Sequence, residues 1–299
     1  MAAVPAHAQQ PARQFRIGYQ KNGILVVAKQ QQAIENRLRP LGVSVTWTEF
    51  SFGPPLLEAL RLGNLDFGTV GDTPPIFAQA ARADLLYVAA APAGGSSSAI
   101  LLPSGSTLQA LADLKGKRVA FARGSSSHNL TVAALEKAGI AFSDITPIQL
   151  APADAAAAFT RGSVDAWTIW DPYYAIAEVQ PGVRILAKAN EITPQNSFYL
   201  SSRSYVQANA GVVAAVVDEL GKVAAWSKSH LDQVAQLLSD GTGVPLEAMQ
   251  RAVARSGYVI GPMTDDVVVE QQQIADRFHR LGLIPAHVAV ADITWRPTA

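Results

Sequence analysis

The segment Gly124-Ser125-Ser126-Ser127-His128-Asn129 sets one glycine, three hydroxyls and an imidazole between an apolar strand and a helical stretch, Leu130 to Ala138, which Gly139 ends. Amide N–H groups at a helix N-terminus, with hydroxyls beside them and a glycine that permits close approach, form a site for an oxyanion. Serine capping of the helix accounts for one of the three serines. A hydrolase reading fits less well. In the Gly-x-Ser-x-Gly elbow the last position is glycine, whereas here it is His128, too near in sequence to act as triad base to its own neighbour. The other histidines are His7, His230, His279 and His287; no pair has metal-ligand spacing and cysteine is absent, so neither a metal site nor a cofactor is expected.

Other segments can supply the rest of such a site. Trp170-Asp171-Pro172-Tyr173-Tyr174 sits at a strand end, and Gly71-Asp72-Thr73-Pro74-Pro75 sits at a matching one. In both, an aspartate followed by proline reads as a helix cap, since proline close behind the cap costs no helical hydrogen bond. Trp170, with Phe52, is a candidate apolar wall for the organic part of a ligand. Gln20 ends the first strand and can donate an amide proton, as can Asn196 in Gln195-Asn196-Ser197-Phe198.

Positioning these pieces requires two similar units. Gly63-Asn64-Leu65-Asp66-Phe67-Gly68-Thr69-Val70-Gly71-Asp72 and Gly162-Ser163-Val164-Asp165-Ala166-Trp167-Thr168-Ile169-Trp170-Asp171 share one pattern, and Arg16-Ile17-Gly18-Tyr19 parallels Arg118-Val119-Ala120-Phe121. Chance likeness of two strand-turn-helix units is the alternative. Strands at 15–19, 43–50, 67–70, 118–122, 145–150, 164–169 and 183–187 alternate with helices, including one long helix from about 22 to 41, so mostly parallel sheets are predicted. The expectation is an α/β chain of two lobes whose strand ends face one another across a cleft. Residues 1–14 would be a disordered start or signal-peptide remnant, 15–101 with 201–299 lobe one, and 102–200 lobe two. The first crossing is placed near Ile100 to Pro103 and the second in the returning strand Phe198 to Ser202. From Ala210 on, apolar residues at helical spacing predict scaffold packed on lobe one.

Composition narrows the function classes. The 299 residues are 49% hydrophobic and 16% charged, with 24 basic and 24 acidic side chains, so no overall field attracts nucleic acid. No run reaches the roughly 18 apolar residues of a membrane span. Ala6-His7-Ala8 has the small-x-small form of a secretory cleavage site, although an Ala-rich terminus would look the same.

Taken together, Asp113-Leu114-Lys115-Gly116-Lys117-Arg118-Val119-Ala120-Phe121 with Gly124 to Asn129, Ile17-Gly18-Tyr19-Gln20-Lys21, Gly71 to Pro75 and Trp170 to Tyr173 resemble the aliphatic sulfonate-binding proteins of bacterial ABC importers. The wider group includes taurine- and nitrate-binding proteins. The resemblance implies a two-lobe periplasmic binding protein of type II with two hinge crossings, a monomer that closes on a small organic sulfonate anion and hands it to a membrane permease. It places ligand contacts at Gln20, the Gly71 to Thr73 turn, the Ser125 to His128 turn and the Trp170-Asp171 wall. On this reading Ser125, Ser126 and Ser127 hold the headgroup, Gln20 and Thr73 clamp it, and Trp170 and Phe52 bound the tail. A taurine receptor would need a carboxylate for the amine, and Asp72 and Asp171 look committed as caps. Desulfinases share the architecture but use a cysteine nucleophile, which this chain lacks.

Overall fold

The computed structural model describes residues 13–92 and 96–296; the Ala6-His7-Ala8 motif and all but the end of the 1–14 segment lie outside them. The chain begins β1 (Arg13–Tyr19), α1 (Ile24–Gln30), α2 (Ala33–Leu38), β2 (Val43–Glu49), α3 (Gly53–Arg61), β3 (Phe67–Gly71), α4 (Thr73–Ala80) and β4 (Leu85–Ala91). It continues with β5 (Ser98–Leu102), β6 (Arg118–Phe121), α5 (Ser126–Lys137), β7 (Thr146–Gln149), α6 (Pro152–Thr160), β8 (Ala166–Trp170), α7 (Tyr173–Glu178) and β9 (Arg184–Lys188). Then follow β10 (Ser197–Ser202), α8 (Arg203–Ser229), α9 (Leu231–Thr242), α10 (Leu246–Ala254) and α11 (Asp265–Arg280).

Two five-stranded sheets result, in the orders β2-β1-β3-β10-β4 and β7-β6-β8-β5-β9. In each, the fourth strand runs antiparallel to its neighbours and the remaining pairings are parallel. The antiparallel strand is the one that arrives from the other lobe. This makes Ile100 and Leu200 interior residues of buried strands, both 0% exposed, with ladder partners on each side. A strand held on both edges cannot serve as the crossing. The chain therefore changes lobe between the end of β4 and the start of β5 and between the end of β9 and the start of β10, earlier than the positions expected near Ile100 and Phe198. β1 also begins at Arg13, inside the segment expected to be disordered.

Two further differences have local causes. The helix expected over 22–41 is divided, because Gln32 adopts the left-handed conformation (φ 52°). The turn lets α1 bury Ile24 to Ala28 completely while α2 directs only Ile34 and Leu38 inward. The edge strand β4 is covered by later chain: Ala90 bridges Gly261 and Tyr87 bridges Thr294, which removes an open edge.

The repeat has a physical basis. Asp66, just before β3, accepts from the backbone N–H of Arg16 (2.8 Å) and from its guanidinium (2.9 and 2.7 Å), while Arg16 also donates to the Gly63 carbonyl. Asp165, just before β8, does the same for Arg118 (2.7, 3.2 and 2.9 Å), with Arg118 donating to the Gly162 carbonyl. Each pair ties the start of one parallel strand to the loop preceding its neighbour. The Arg118 contact, led by its hydrogen bonds, holds Asp165 below the usual carboxylate range.

The two copies differ in burial, with side-chain exposures of 6% for Asp66 and 32% for Asp165. Removing the acceptor is costlier where water cannot replace it. Asp66→Ala should therefore destabilise its lobe by about 2–3 kcal/mol and Asp165→Ala by about 1 kcal/mol. Urea midpoints of the two variants, compared at equal slope, check the order.

Candidate functional site

Parallel strands carry their loops at the C-terminal ends, where open α/β sheets bind ligands. Here the two sets of strand ends face each other. Ser197 at the start of β10 lies opposite Gly71 at the end of β3, and Ser98 at the start of β5 lies opposite Trp170 at the end of β8. Both crossings thus pass beside the ends of β3 and β8. Between the lobes is a cavity of about 190 Å³.

Of the twelve residues expected at the site, seven border this cavity: Gln20, Gly71, Ser125, Ser126, Trp170, Asp171 and Asn196. Five do not. Phe52 precedes α3, half-buried, and the neighbouring Gly53 takes its place on the wall. Asp72, Thr73, Ser127 and His128 are buried behind the surface, none more than 1% exposed.

The serine-rich turn is tighter than expected, because α5 begins at Ser126, four residues before Leu130. Ser125 is its N-cap, with extended φ of −101° and ψ of 172°. Its hydroxyl donates to the Ala122 carbonyl (2.7 Å) and pairs with the Ser127 hydroxyl (2.8 Å), which accepts from the Ala122 amide (3.1 Å). Those two hydroxyls close a ring within the turn. The Ser126 hydroxyl helps to hold down the raised Asp72 carboxyl. The hydroxyls of Ser125 and Ser127 are thereby occupied within the turn. What the turn offers the cavity is its backbone at Ser126, whose amide, in the first turn of α5, has no acceptor among the described hydrogen bonds.

His128 faces away. It stacks on Phe121 (4.8 Å between centroids, 14° between planes) and is ringed by Phe77, Phe142 and Phe278. Its Nδ1 accepts from the Gly124 amide at 3.3 Å, and Nε2 is buried without a partner. Burial pushes the imidazole down to about 3, and the Arg123 charge adds to the effect. The side chain is a neutral packing element that joins the lobes, since Phe77 and Phe278 come from α4 and α11.

Asp72 joins the lobes as well. Thr73 Oγ1 donates to its Oδ1 (2.7 Å) and Asn129 Nδ2, from α5, to its Oδ2 (2.9 Å), while Gln271 Nε2 donates to its carbonyl (2.5 Å). Burial raises the carboxyl above its usual range, and the bonds from Thr73, Asn129 and Ser126 oppose that rise. The expected capping role is not what is seen, for no side-chain cap bond forms at α4. Arg277 extends the junction, donating to Asn129 Oδ1 (2.9 Å) and to Glu136 (2.8 Å).

Asp171 is anchored differently. It accepts the Ala175 amide (3.1 Å) as a cap, and Arg255 reaches it with two bonds (2.8 and 3.1 Å) while also binding Glu178. Burial pushes the Asp171 carboxyl up to about 6 against the pull of Arg255. Burial also works against the Arg255 charge, yet its bonds to Glu178 and Asp171 hold it above its ordinary value. Arg255 lies just past α10 and bridges to lobe two, so the C-terminal helices are more than scaffold.

The residues that sequence reasoning missed belong mostly to that region. Val234, Leu238, Met249, Ala252 and Val253 form part of the cavity wall, with Tyr258 close by. Their helical spacing reads as core spacing, and only the topology shows that the core ends in a void. Asn22 was also missed; its Nδ2 donates to the Asp171 carbonyl across the cleft (2.9 Å). Gln20 gives one amide hydrogen to the Thr69 carbonyl (3.1 Å), Gln195 donates to the Ser126 carbonyl (3.0 Å), and Asn196 donates to Glu270 (2.7 Å).

The electrostatics of this cavity are unusual for an anion site. Among the described residues, Asp171 is the only ionisable acid or base on its wall apart from tyrosines, and no lysine or arginine borders it. Instead, residues at the starts of five helices do so: Ile24 of α1, Gly53 of α3, Pro74 of α4, Ser126 of α5 and Pro172 before α7. The partial positive charge of a helix start resides in its free N–H groups, which the Ser126 start of α5 keeps, whereas Pro74 and Pro172 have none to offer.

Known proteins with this arrangement bear on its use. Residues 42–233 match the family model described as NMT1/THI5 like. A protein of Escherichia coli (strain K12) named for binding aliphatic sulfonates is 43% identical over 97% of this chain and 91% of its own length. The chain belongs to the aliphatic sulfonate-binding proteins of the NMT1/THI5-like family. A Bacillus subtilis (strain 168) member with the same name is 33% identical over 94% of this chain and 85% of its own. The alkanesulfonate-binding protein SsuA from Xanthomonas axonopodis pv. citri, solved bound to MOPS, superposes with a TM-score of 0.90 at 42% identity, covering 97% of this chain and all of that one. The desulfurization enzyme DSZB shares the fold alone, at 15% identity and a TM-score of 0.68.

Two tests follow from the geometry. His128 binds a proton in the unfolded chain below its ordinary value of 6.5 but in the folded chain only near 3. Stability is thus full above 6.5, falls as pH drops below it, and the loss is complete near 3. His128→Leu should remove this acid slope, measured as urea midpoints between pH 7 and 4. Second, a Cβ on Gly71 would lie 1.9 Å from Ser126 Oγ and 3.2 Å from its Cβ. Gly71→Ala should cost about 1–3 kcal/mol of stability by overpacking the lobe junction, and adding Ser126→Ala should recover part of it, as thermal melts of both variants will show.

Proposed function

We propose that this chain is the periplasmic receptor of an ABC importer, that it captures alkanesulfonates between its lobes, and that it delivers them unchanged to a membrane permease. The observation that carries the reading is the convergence of five helix starts on a cavity without a cationic side chain. A sulfonate remains ionised at any physiological pH and presents three acceptor oxygens, so it needs donors and no proton acceptor. The Ser126 amide, with the Gln20 side-chain amide from the opposite lobe, supplies donors without the desolvation cost of a buried lysine or arginine. Charge-assisted bonds of this kind contribute roughly 1.5–3 kcal/mol each. Three or four of them approach the roughly 8 kcal/mol of micromolar binding once ordering costs are met.

The size fits a small guest, since about 190 Å³ lies below the usual range for drug-sized ligands. A zwitterion such as taurine is less well served. Its amine would need a carboxylate, and Asp72 is fully buried while Asp171 is committed to Arg255. The family members that share most of this chain are named for sulfonate binding, which supports the same choice. Turnover of the ligand has no visible nucleophile, because cysteine is absent and the serine hydroxyls are held in internal bonds.

Isothermal titration with ethanesulfonate, taurine, nitrate and sulfate tests the proposal. Ethanesulfonate should bind with a micromolar dissociation constant and at least about tenfold more tightly than taurine. Binding of nitrate or sulfate alone, or of none of the four, would refute the sulfonate assignment.

A further inference from the structure

We propose that Arg255 is a positioning residue for anion binding: without bordering the cavity, it answers the carboxylate of Asp171 on the wall and so lets a permanently negative guest sit beside that acid. The inference rests on the reading above that the guest is an anion, and deepens it. Among the described residues Asp171 is the single ionisable acid on the wall, tyrosines aside, and Arg255 is not part of the wall. An uncompensated carboxylate there would repel a sulfonate across a poorly solvated space. Both of its oxygens are engaged by the protein. Oδ2 accepts from Arg255 Nε at 2.8 Å, and Oδ1 accepts from Arg255 Nη2 and from the Ala175 amide, each at 3.1 Å.

The guanidinium is fixed by more than that acid. It lies over the Tyr174 ring, 3.8 Å from the centroid, and two further bonds reach Glu178 (3.1 and 2.7 Å). A planar fork with a face that stacks is what arginine supplies and lysine does not. Side-chain exposures are 20% for Arg255, 4% for Asp171 and 12% for Glu178, so solvent screens the group weakly. Arg255 follows α10 of lobe one, whereas Asp171 precedes α7 of lobe two and Tyr174 and Glu178 belong to it. The compensation is therefore present in the arrangement that encloses the guest. Of the other groups around this cluster, Arg251 stands 4.0 Å from Glu178, while Asn22 and Ser97, which bond the Asp171 backbone, carry no charge. Burial raises the Asp171 carboxyl to about 6 against the pull of Arg255, and Glu178 adds to the rise, so this acid changes charge within a range that binding experiments reach.

Titration calorimetry of the whole protein with ethanesulfonate tests the assignment. At about pH 7.5, Arg255→Met should weaken binding by at least about tenfold. Combining it with Asp171→Asn should recover most of that loss, because the acid left unanswered is gone. The single variant should also regain affinity as pH falls from about 8 to about 5.5, when its freed carboxyl takes up a proton, and this transition should lie above the one in the unaltered protein, since Arg255 no longer holds the carboxyl down. Asp171→Asn alone leaves the guanidinium on Glu178; it should tighten binding and remove the pH dependence, and it decides the matter even if Arg255→Met does not fold. Unchanged affinity in Arg255→Met, a loss that neither Asp171→Asn nor acid restores, or an Asp171→Asn variant that binds no more tightly than the unaltered protein overturns the role of Arg255 and spares the receptor reading. Failure of the unaltered protein to bind ethanesulfonate overturns both.

Discussion

Neutral amides can hold an anion between two lobes only if nothing else in that space accepts their hydrogens, and Asp72 is where this constraint is met. It is an acid with no exposure at all, joined to α5 through Asn129. Left unanswered, it would draw on donors near the cavity and repel an anionic ligand as well. Its oxygens are instead filled by Thr73, Asn129 and the Ser126 hydroxyl. The same contacts draw α5 against the end of β3, so close that only glycine fits at position 71. Satisfying the acid and positioning the donors are one arrangement.

The duplication explains how such a site could be built twice and then used asymmetrically. The Arg16–Asp66 and Arg118–Asp165 pairs perform the same local task in both lobes. At the far ends of the same strands the paired aspartates diverge. Asp72 is satisfied by neutral donors, whereas Asp171 is satisfied by a guanidinium that comes from beyond α10. One flank of the cleft is a hydrogen-bonded junction that includes Asn129, Arg277 and Glu136; the other is an ion-paired one that includes Arg255 and Glu178. Both acids are answered, and the cavity between them keeps the field of the helix starts.

Much of this was legible in the residues themselves. The repeated Gly-x-x-Asp pattern and the strand-helix alternation carry the two α/β sheets, and Gly124 to Asn129 marks the anion turn, because backbone signals of this type are local. What could not be read is set by distance in the chain. Ser125 and Ser127 look like ligand donors until their partner, the Ala122 backbone, is seen to absorb them. His128 looks chemical until four aromatic rings from three separate elements and the Phe142 turn enclose it. The crossings are expected inside β5 and β10 because a strand's own residues give no sign of which sheet it joins. Val234, Leu238 and Ala252 carry core spacing whether the space beside them is filled or empty.

The choice of amides over cationic side chains also suits a protein that must let go. A buried lysine or arginine that loses its anion is left with an unpaired charge in a poorly solvated cleft, a penalty that resists opening or forces a substitute partner. Helix-start amides carry no net charge, and water replaces the ligand oxygens at little cost once the lobes part. The two cationic bridges, Arg255 and Arg277, sit on the flanks and bind acids of the protein itself. They tie the lobes together whatever the cavity holds, so they contribute to stability without choosing among anionic occupants. Selection is then left to the cavity, whose wall sets the polar Ser126 turn among apolar side chains of α1, α9 and α10, so that it asks for an anionic group and an apolar one. Each requirement alone admits many solutes: small oxyanions meet the first and apolar molecules the second. Only an amphiphile meets both, and that conjunction is what makes a cleft of ordinary small residues selective.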